Sequence, residues 1–324
     1  MRIKKILIIS LGSIGKRHIR VIKKLRPEIK INLLRRKIPL NKSKEEELIY
    51  KTFTCLKEAI KDGIDAAIIA SPAKFHIEQS LEILKENIPI FIEKPISDNL
   101  ESCFELKKLA TKKNIPITVG YVLRHSKILN EFNKLIKENH IGKNIYAEIK
   151  CGSYLPLWRN NIDYRESVSS KSSLGGGVLL ELSHEINYAN WLFGPLKNLK
   201  SITINTNLLE INVEDIAKII ATNNKNFLVQ LHLDFCSNSE ERFCKLYGTR
   251  GFINLDFKDK LITLKKYDSE KIKSIKVNES YDDMYVNQMR HFLTCIEKKI
   301  NPIVTIDDAI ETMKLISECN SSKL

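Results

Sequence analysis

No stretch of the 324-residue chain approaches the ~20 consecutive apolar residues that a membrane-spanning helix needs, so a helical membrane protein is excluded. Met1-Arg2-Ile3-Lys4-Lys5 leads into only a short apolar run with no small-residue cleavage site after it, and no secretory signal is expected. The seven cysteines (Cys55, Cys103, Cys151, Cys236, Cys244, Cys295 and Cys319) are scattered and form no C-x-x-C pair. They read as reduced packing residues of a cytoplasmic protein rather than a disulfide framework. H-E-x-x-H and clustered Cys/His spacings are absent too, and no metal is expected. There is no internal repeat and no low-complexity linker. The formal charge of +14 invites a nucleic-acid reading. The lysines, however, are spread through every segment, with no basic tail and no basic stripe interleaved with aromatics, so nucleic acid is not expected as a partner. A positive surface suits an anionic small substrate such as a nucleotide sugar, and a solvated lysine-rich surface accounts for the charge equally well.

What is present begins at the N-terminus. The apolar run Ile6-Leu7-Ile8-Ile9 leads directly into Ser10-Leu11-Gly12-Ser13-Ile14-Gly15, and Ile14, His18, Val21, Ile22 and Leu25 follow at helical spacing. A strand, a glycine-bearing turn and a helix start read as the opening of a dinucleotide-binding domain. There the turn brings backbone close to a diphosphate, and the helix N-terminus offers free N–H groups. Ser10 stands where the fingerprint has its first glycine, and a strand–turn–helix of another α/β fold would share this pattern.

The chain length suggests two domains, each able to bury a core. Residues 1–122 alternate short β runs (Lys5–Ile9, Lys30–Leu34, Thr52–Cys55, Ile64–Ala70, Pro89–Ile92, Ile117–Val119) with helices such as Phe75–Glu86 and Asn99–Lys112. Such alternation implies right-handed βαβ units and a parallel sheet, a Rossmann-type domain. The second strand ends in Arg35-Arg36 with no acid at its tip, which favours NADP over NAD, since an arginine there accommodates the extra phosphate. Residues 123–324 change character. After a helix at Ser126–Glu138, β runs occupy 199 to 277, among them Ser201–Asn205, Asp215–Thr222, Arg242–Tyr247, Phe252–Asp256 and Leu261–Lys266. In the clearest of them Phe227, Val229, Leu231, Leu233 and Phe235 alternate with more polar positions, as in a sheet with one buried face. Helices at Met284–Glu297 and Ile306–Glu318 close the chain. The fold class is therefore α/β, with a second, α+β domain built on a large, mostly antiparallel sheet.

Two segments carry candidate chemistry. Glu93-Lys94-Pro95 ends a parallel strand, where ligands of open α/β sheets bind. Gly175-Gly176-Gly177 precedes a helix on which Leu179, Leu182, Ile186, Ala189 and Phe193 form an apolar stripe, while Glu181, His184 and Tyr188 follow the opposite face. The glycines suit close backbone approach to a ligand. A carboxylate beside an imidazole suits proton transfer near neutral pH.

Together these residues resemble the Gfo/Idh/MocA family of nicotinamide-dependent oxidoreductases. The resemblance runs through Leu11–His18, Ala70–His76, Glu93-Lys94-Pro95, Val119-Gly120-Tyr121, Gly175–Gly177, His184-Glu185, Trp191–Gly194 and the segment from Asn301 to Ala309. Gly152–Arg159 and Asp163-Tyr164-Arg165 look like the branch found in bacterial surface-polysaccharide and nonulosonic-acid clusters. The resemblance implies a cofactor site for NAD or NADP made of Gly12, Ser13, Ile14, Gly15, Ser71, Pro72, His76 and Glu93, to which the strand-tip reading adds Arg35 and Arg36. It implies a catalytic Lys94 that polarises a sugar oxygen, and a catalytic His184 that moves its proton. Glu181 stands one methylene longer than the family's common aspartate, and Asn187 replaces another. Arg124, Trp158, Tyr164 and Arg165 are the candidate substrate contacts. The implied activity is hydride transfer between a nicotinamide and a carbinol carbon of a sugar, nucleotide sugar or related polyol, in a homodimer or homotetramer. A redox-neutral glycosidase or eliminase of the same fold and a non-catalytic NAD(P)- or sugar-sensing protein are the alternatives.

Overall fold

The structure, a computed structural model, describes residues 2–37, 43–159 and 163–321. It divides into two compact units, Met1–Val122 with Tyr281–Ile310, and Leu123–Ser280 with Glu311–Leu324.

The first unit opens as β1 (Lys5–Ile9), α1 (Ser13–Leu25), β2 (Lys30–Leu34), β3 (Lys51–Phe53), α2 (Leu56–Lys61) and β4 (Ala66–Ile69), then continues through α3 (His76–Lys85), β5 (Ile90–Ile92), α4 (Glu101–Lys113) and β6 (Thr118–Val119). Its strands form one parallel sheet in the order β3-β2-β1-β4-β5-β6. Ile6, Leu7 and Ile8 are fully buried, as a strand covered by helices on both faces requires. The chain runs outward from β1 to β3 and then restarts at β4 on the other side of β1. That reversal opens the crevice in which doubly wound sheets bind ligands, at the carboxyl ends of the strands.

The second unit carries α5 (Lys127–Lys137), β7 (Asn144–Gly152), α6 (Val178–Glu181), α7 (Ser183–Phe193) and the strands β8 (Lys197–Ile204), β9 (Ile216–Thr222), β10 (Leu228–Asp234), β11 (Glu241–Gly248), β12 (Gly251–Asp256), β13 (Leu261–Lys266) and β14 (Ile272–Lys276). Its sheet runs β14-β13-β12-β11-β7-β10-β9-β8, antiparallel except where β7 lies parallel to β10. On β10, Val229, Leu231 and Leu233 are buried while Leu228 is exposed, the period-two pattern of a sheet covered on one face. α5 packs on β12 and β13, and α7 on β7 and β10. The chain ends in α8 (Tyr281–Lys298) and α9 (Ile306–Ser321).

The structure departs from the sequence expectation in two places. β7 was not expected, yet it is central to the second sheet; its buried side chains are Ala147, Ile149 and Cys151, two of them small, and Ile145, on the same face, is exposed. The single helix expected after Gly177 is broken at Leu182 (φ −96°, ψ 25°) into α6 and α7. By contacts, residues 281–310 group with the first unit: α8 packs along α1 and sets Phe292 edge-on to Phe91, with ring centroids 5.5 Å apart.

Candidate active site

In the first unit the site follows from strand register. Ile9 pairs with Leu34 and with Ile69, Ile69 with Ile92, and Ile92 with Val119. Five strand ends therefore lie level. The residues that follow them, Ser10–Gly15, Arg35 and Arg36, Ser71 and Pro72, Glu93 and Lys94, and Gly120, share one edge of the sheet.

α1 begins at that edge. Its first helical bond runs from the Lys16 N–H to the Gly12 carbonyl (3.0 Å), which leaves the N–H groups of Ser13, Ile14 and Gly15 outside the helical ladder. No side chain caps them and no acid lies in the first turn. A Cβ at Gly12 would meet no atom, so this glycine keeps space open beside those donors; a Cβ at Gly15 would strike the Ser10 carbonyl oxygen. Ser10 takes φ +77°, the left-handed conformation that glycine supplies in the usual fingerprint. An open cradle of N–H groups at a positive helix end fits the diphosphate of a dinucleotide.

Around this cradle the expected residues divide. The Arg35 guanidinium is tied to Glu46 at 2.8 Å, both largely buried. Arg36 is exposed and lies over the Phe75 ring, 4.7 Å from its centroid. Ser71 donates its hydroxyl hydrogen to the Gln79 side chain (2.7 Å). His76 is buried behind the loops, with Nε2 2.7 Å from the Ser71 carbonyl and Nδ1 2.9 Å from the Pro95 carbonyl, so it braces the segments after β4 and β5. Burial lowers its pKa. Glu93 is buried as well: Oε1 lies 2.7 Å from His18 Nε2, and Oε2 accepts the Lys94 N–H at 3.2 Å. Lys94 itself is half-buried at the strand end.

In the second unit, Glu181 ends α6 and His184 sits in the first turn of α7, both half-buried. The face they were expected to share is not uniform, because Tyr188 is fully buried, 5.9 Å from the Phe257 ring. Gly176 and Gly177 are packed against the protein itself. A Cβ at Gly176 would strike the Val168 and Ser169 carbonyls, and one at Gly177 (φ +112°) the Glu214 carboxylate. That carboxylate accepts the Leu179 N–H (3.1 Å) at the start of α6, and burial raises its pKa. Of the candidate substrate contacts, Trp158 and Tyr164 line a small, shallow recess together with Leu155, Arg159, Ser167 and Ser169. Arg165 is held by Asp163 (Nη2 to Oδ2, 3.0 Å) and Glu210 (Nη1 to Oε2, 2.9 Å), and the buried Arg124 lies 4.3 Å from the Trp191 ring centroid.

Sequence reasoning missed three residues that shape these surroundings. His18 read as a member of the apolar stripe of α1, and its only signal was a polar ring within that stripe. Glu185, fully buried, pairs with Arg242 on β11 at 2.7 Å, and Glu214 caps α6. Neither is signalled by local periodicity, because each partner is distant in sequence.

A parallel sheet with a helix-end anion cradle at its switch point defines the dinucleotide-binding class of doubly wound fold. Residues 4–121 match the model of the oxidoreductase family with an NAD-binding Rossmann fold, and residues 133–323 that of the oxidoreductase family C-terminal alpha/beta domain. The chain belongs to this family, Gfo/Idh/MocA. It is 24% identical over 249 residues to the glucose-6-phosphate 3-dehydrogenase of Bacillus subtilis, covering 74% of this chain and 69% of that protein. It is 24% identical over 201 residues to the 2,7-anhydro-N-acetylneuraminate hydratase of Escherichia coli, covering 60% of this chain and 52% of that one. The matches thus span about half to two thirds of the length of these curated relatives. Among solved structures, the WlbA dehydrogenase from Bordetella pertussis in complex with NADH and UDP-GlcNAcA superposes with a TM-score of 0.83 at 17% identity, over 99% of this chain and 96% of that one. At that identity the likeness is one of fold.

Proposed function

We propose that the protein is an NAD(P)-dependent oxidoreductase acting on a CH–OH group of a sugar or nucleotide sugar. The observation that carries this reading is the open N–H cradle of Ser13–Gly15 on the same sheet edge as Lys94. When bound, the nicotinamide supplies a hydride acceptor or donor at its C4. Ser13, Ile14 and Gly15 hold the diphosphate. Lys94 Nζ donates a charge-assisted hydrogen bond to the reacting oxygen and stabilises its developing negative charge. The His184 imidazole takes the hydroxyl proton as the carbinol becomes a carbonyl and returns it in the reverse direction, with Glu181 as the carboxylate that supports it. Trp158 and Tyr164 are assigned to the sugar.

Arg35 is neutralised by Glu46, while Arg36 is exposed and faces no carboxylate partner among the described residues. This supports a preference for NADP, with Arg36 on the 2′-phosphate. Titration of the stripped protein with NADPH and NADH, followed by nicotinamide fluorescence, should give NADPH the lower Kd by about tenfold, the scale of one good charge-assisted contact. Binding of neither would overturn the assignment. The likeness to a hydratase favours a redox-neutral second reading. It would show as a dinucleotide that co-purifies and turns substrate over with no net change in absorbance at the reduced-nicotinamide band.

A further inference from the structure

One buried pair in the first unit joins Glu93 to His18, a residue with no role assigned above. His18 projects from α1, one turn beyond the cradle, and its Nε2 lies 2.7 Å from Glu93 Oε1, with side-chain exposures of 1% and 9%. The ring is packed edge-on against Phe91 and Tyr285, with centroids 5.2 Å and 6.4 Å away. Its Nδ1 is buried and makes no hydrogen bond among the described residues. The proton therefore belongs on Nε2, where it is donated to the carboxylate. Gly120 completes the arrangement, because a Cβ there would stand 2.8 Å from Glu93 Oε2. The carboxylate thus has a tailored berth: an imidazole donor on one oxygen, the Lys94 N–H on the other, and a glycine that leaves it room.

We propose that His18 is a positioning residue for the dinucleotide site, acting through Glu93; the inference rests on the oxidoreductase reading above. His18 joins the helix that presents the N–H cradle to the strand end that carries Lys94. Without its donor, the Glu93 carboxylate would be a buried charge lacking one of its two partners, which is costly. It would turn toward water at the sheet edge. There it releases the Lys94 N–H and adds negative charge beside the groups that receive a diphosphate, so anion binding weakens.

The test is a thermodynamic cycle on the full chain, with Kd for NADH and NADPH read by fluorescence and folding checked by thermal melts. His18→Leu should weaken both dinucleotides by about tenfold or more, while His18→Gln, whose amide nitrogen reaches the Nε2 position, stays within about threefold of wild type. In a Glu93→Gln background, His18→Leu should change Kd by less than about twofold, since its effect runs through that carboxylate. Additive effects of the two substitutions, or a His18→Leu protein that binds as wild type does, overturn the inference while leaving the oxidoreductase reading in place. Wild-type protein that binds neither dinucleotide overturns that reading and the inference with it. If His18→Leu alone fails to fold, His18→Asn, whose shorter amide falls short of Glu93, takes its place in both backgrounds of the cycle with the same expected and overturning outcomes.

Discussion

His76 has carbonyl oxygens at hydrogen-bond distance on both ring nitrogens, 2.9 Å and 2.7 Å, and a neutral imidazole donates to only one of them. Burial lowers its pKa from 6.5 and outweighs the two carbonyls, which act to raise it. The unfolded chain therefore takes up the proton first as the pH falls. The stability contributed by the neutral ring is complete above about pH 6.5 and is lost as the pH drops below that value toward the folded-state pKa. The urea midpoint should accordingly fall between pH 7 and pH 5.5, and His76→Gln should lessen that fall. His291, also lowered by burial, titrates with the same sign, so some of the slope will persist. Equal pH slopes in wild type and variant would rule out this role for His76. The sequence offered His76 only as a cofactor contact, on resemblance. Its bracing role was hidden because the carbonyls it holds are backbone groups, which leave no mark on residue type.

At the scale of elements, the segment from Gly175 to Phe193 shows what periodicity does and does not reveal. Its helical character and the placement of Glu181 and His184 away from the apolar stripe were legible, but the break at Leu182 was not. A kink between two helices is set by the partners at each end rather than by the residue at the break. α6 is capped by Glu214, and the first turn of α7 is tethered to β11 by the buried Glu185–Arg242 pair. Glu185→Leu leaves Arg242 without its carboxylate. We expect a loss of about 3 kcal/mol in urea melts, the lower end for a buried pair because the Arg242 side chain stays 20% exposed. Glu185→Leu/Arg242→Leu should recover most of that loss, since two apolar side chains replace an ion pair at little cost. A double variant no more stable than the single one would show that the tether is not electrostatic.

Across the whole molecule, the Rossmann character of the first unit was legible because parallel strands buried on both faces read as plain apolar runs, and the edge that gathers Gly12, Arg36 and Lys94 follows from their order alone. The return of residues 281–310 to that unit was not legible, since no local pattern records which core an amphipathic helix joins. The consequence is measurable. α8 buries Tyr285, Met289, Phe292 and Leu293, with Met289 at 0% and Phe292 at 1% exposure. At ~1.5–3 kcal/mol per side chain these contribute roughly 6–12 kcal/mol, as much as the net stability of a typical domain. Further ties are the Val119 N–H to the Val304 carbonyl (3.3 Å) and Arg26 to Glu297 (3.2 Å). A fragment of residues 1–122 should therefore lack a cooperative thermal transition and bind a hydrophobic dye. The same fragment joined through a flexible linker to residues 281–310 should melt cooperatively and recover NADH or NADPH binding. A cooperative melt of 1–122 alone, at the midpoint of the joined form, would mean that α8 merely rests on a self-sufficient domain. Its absence would make α8 part of the cofactor-binding body, on the far side in sequence of the whole second sheet.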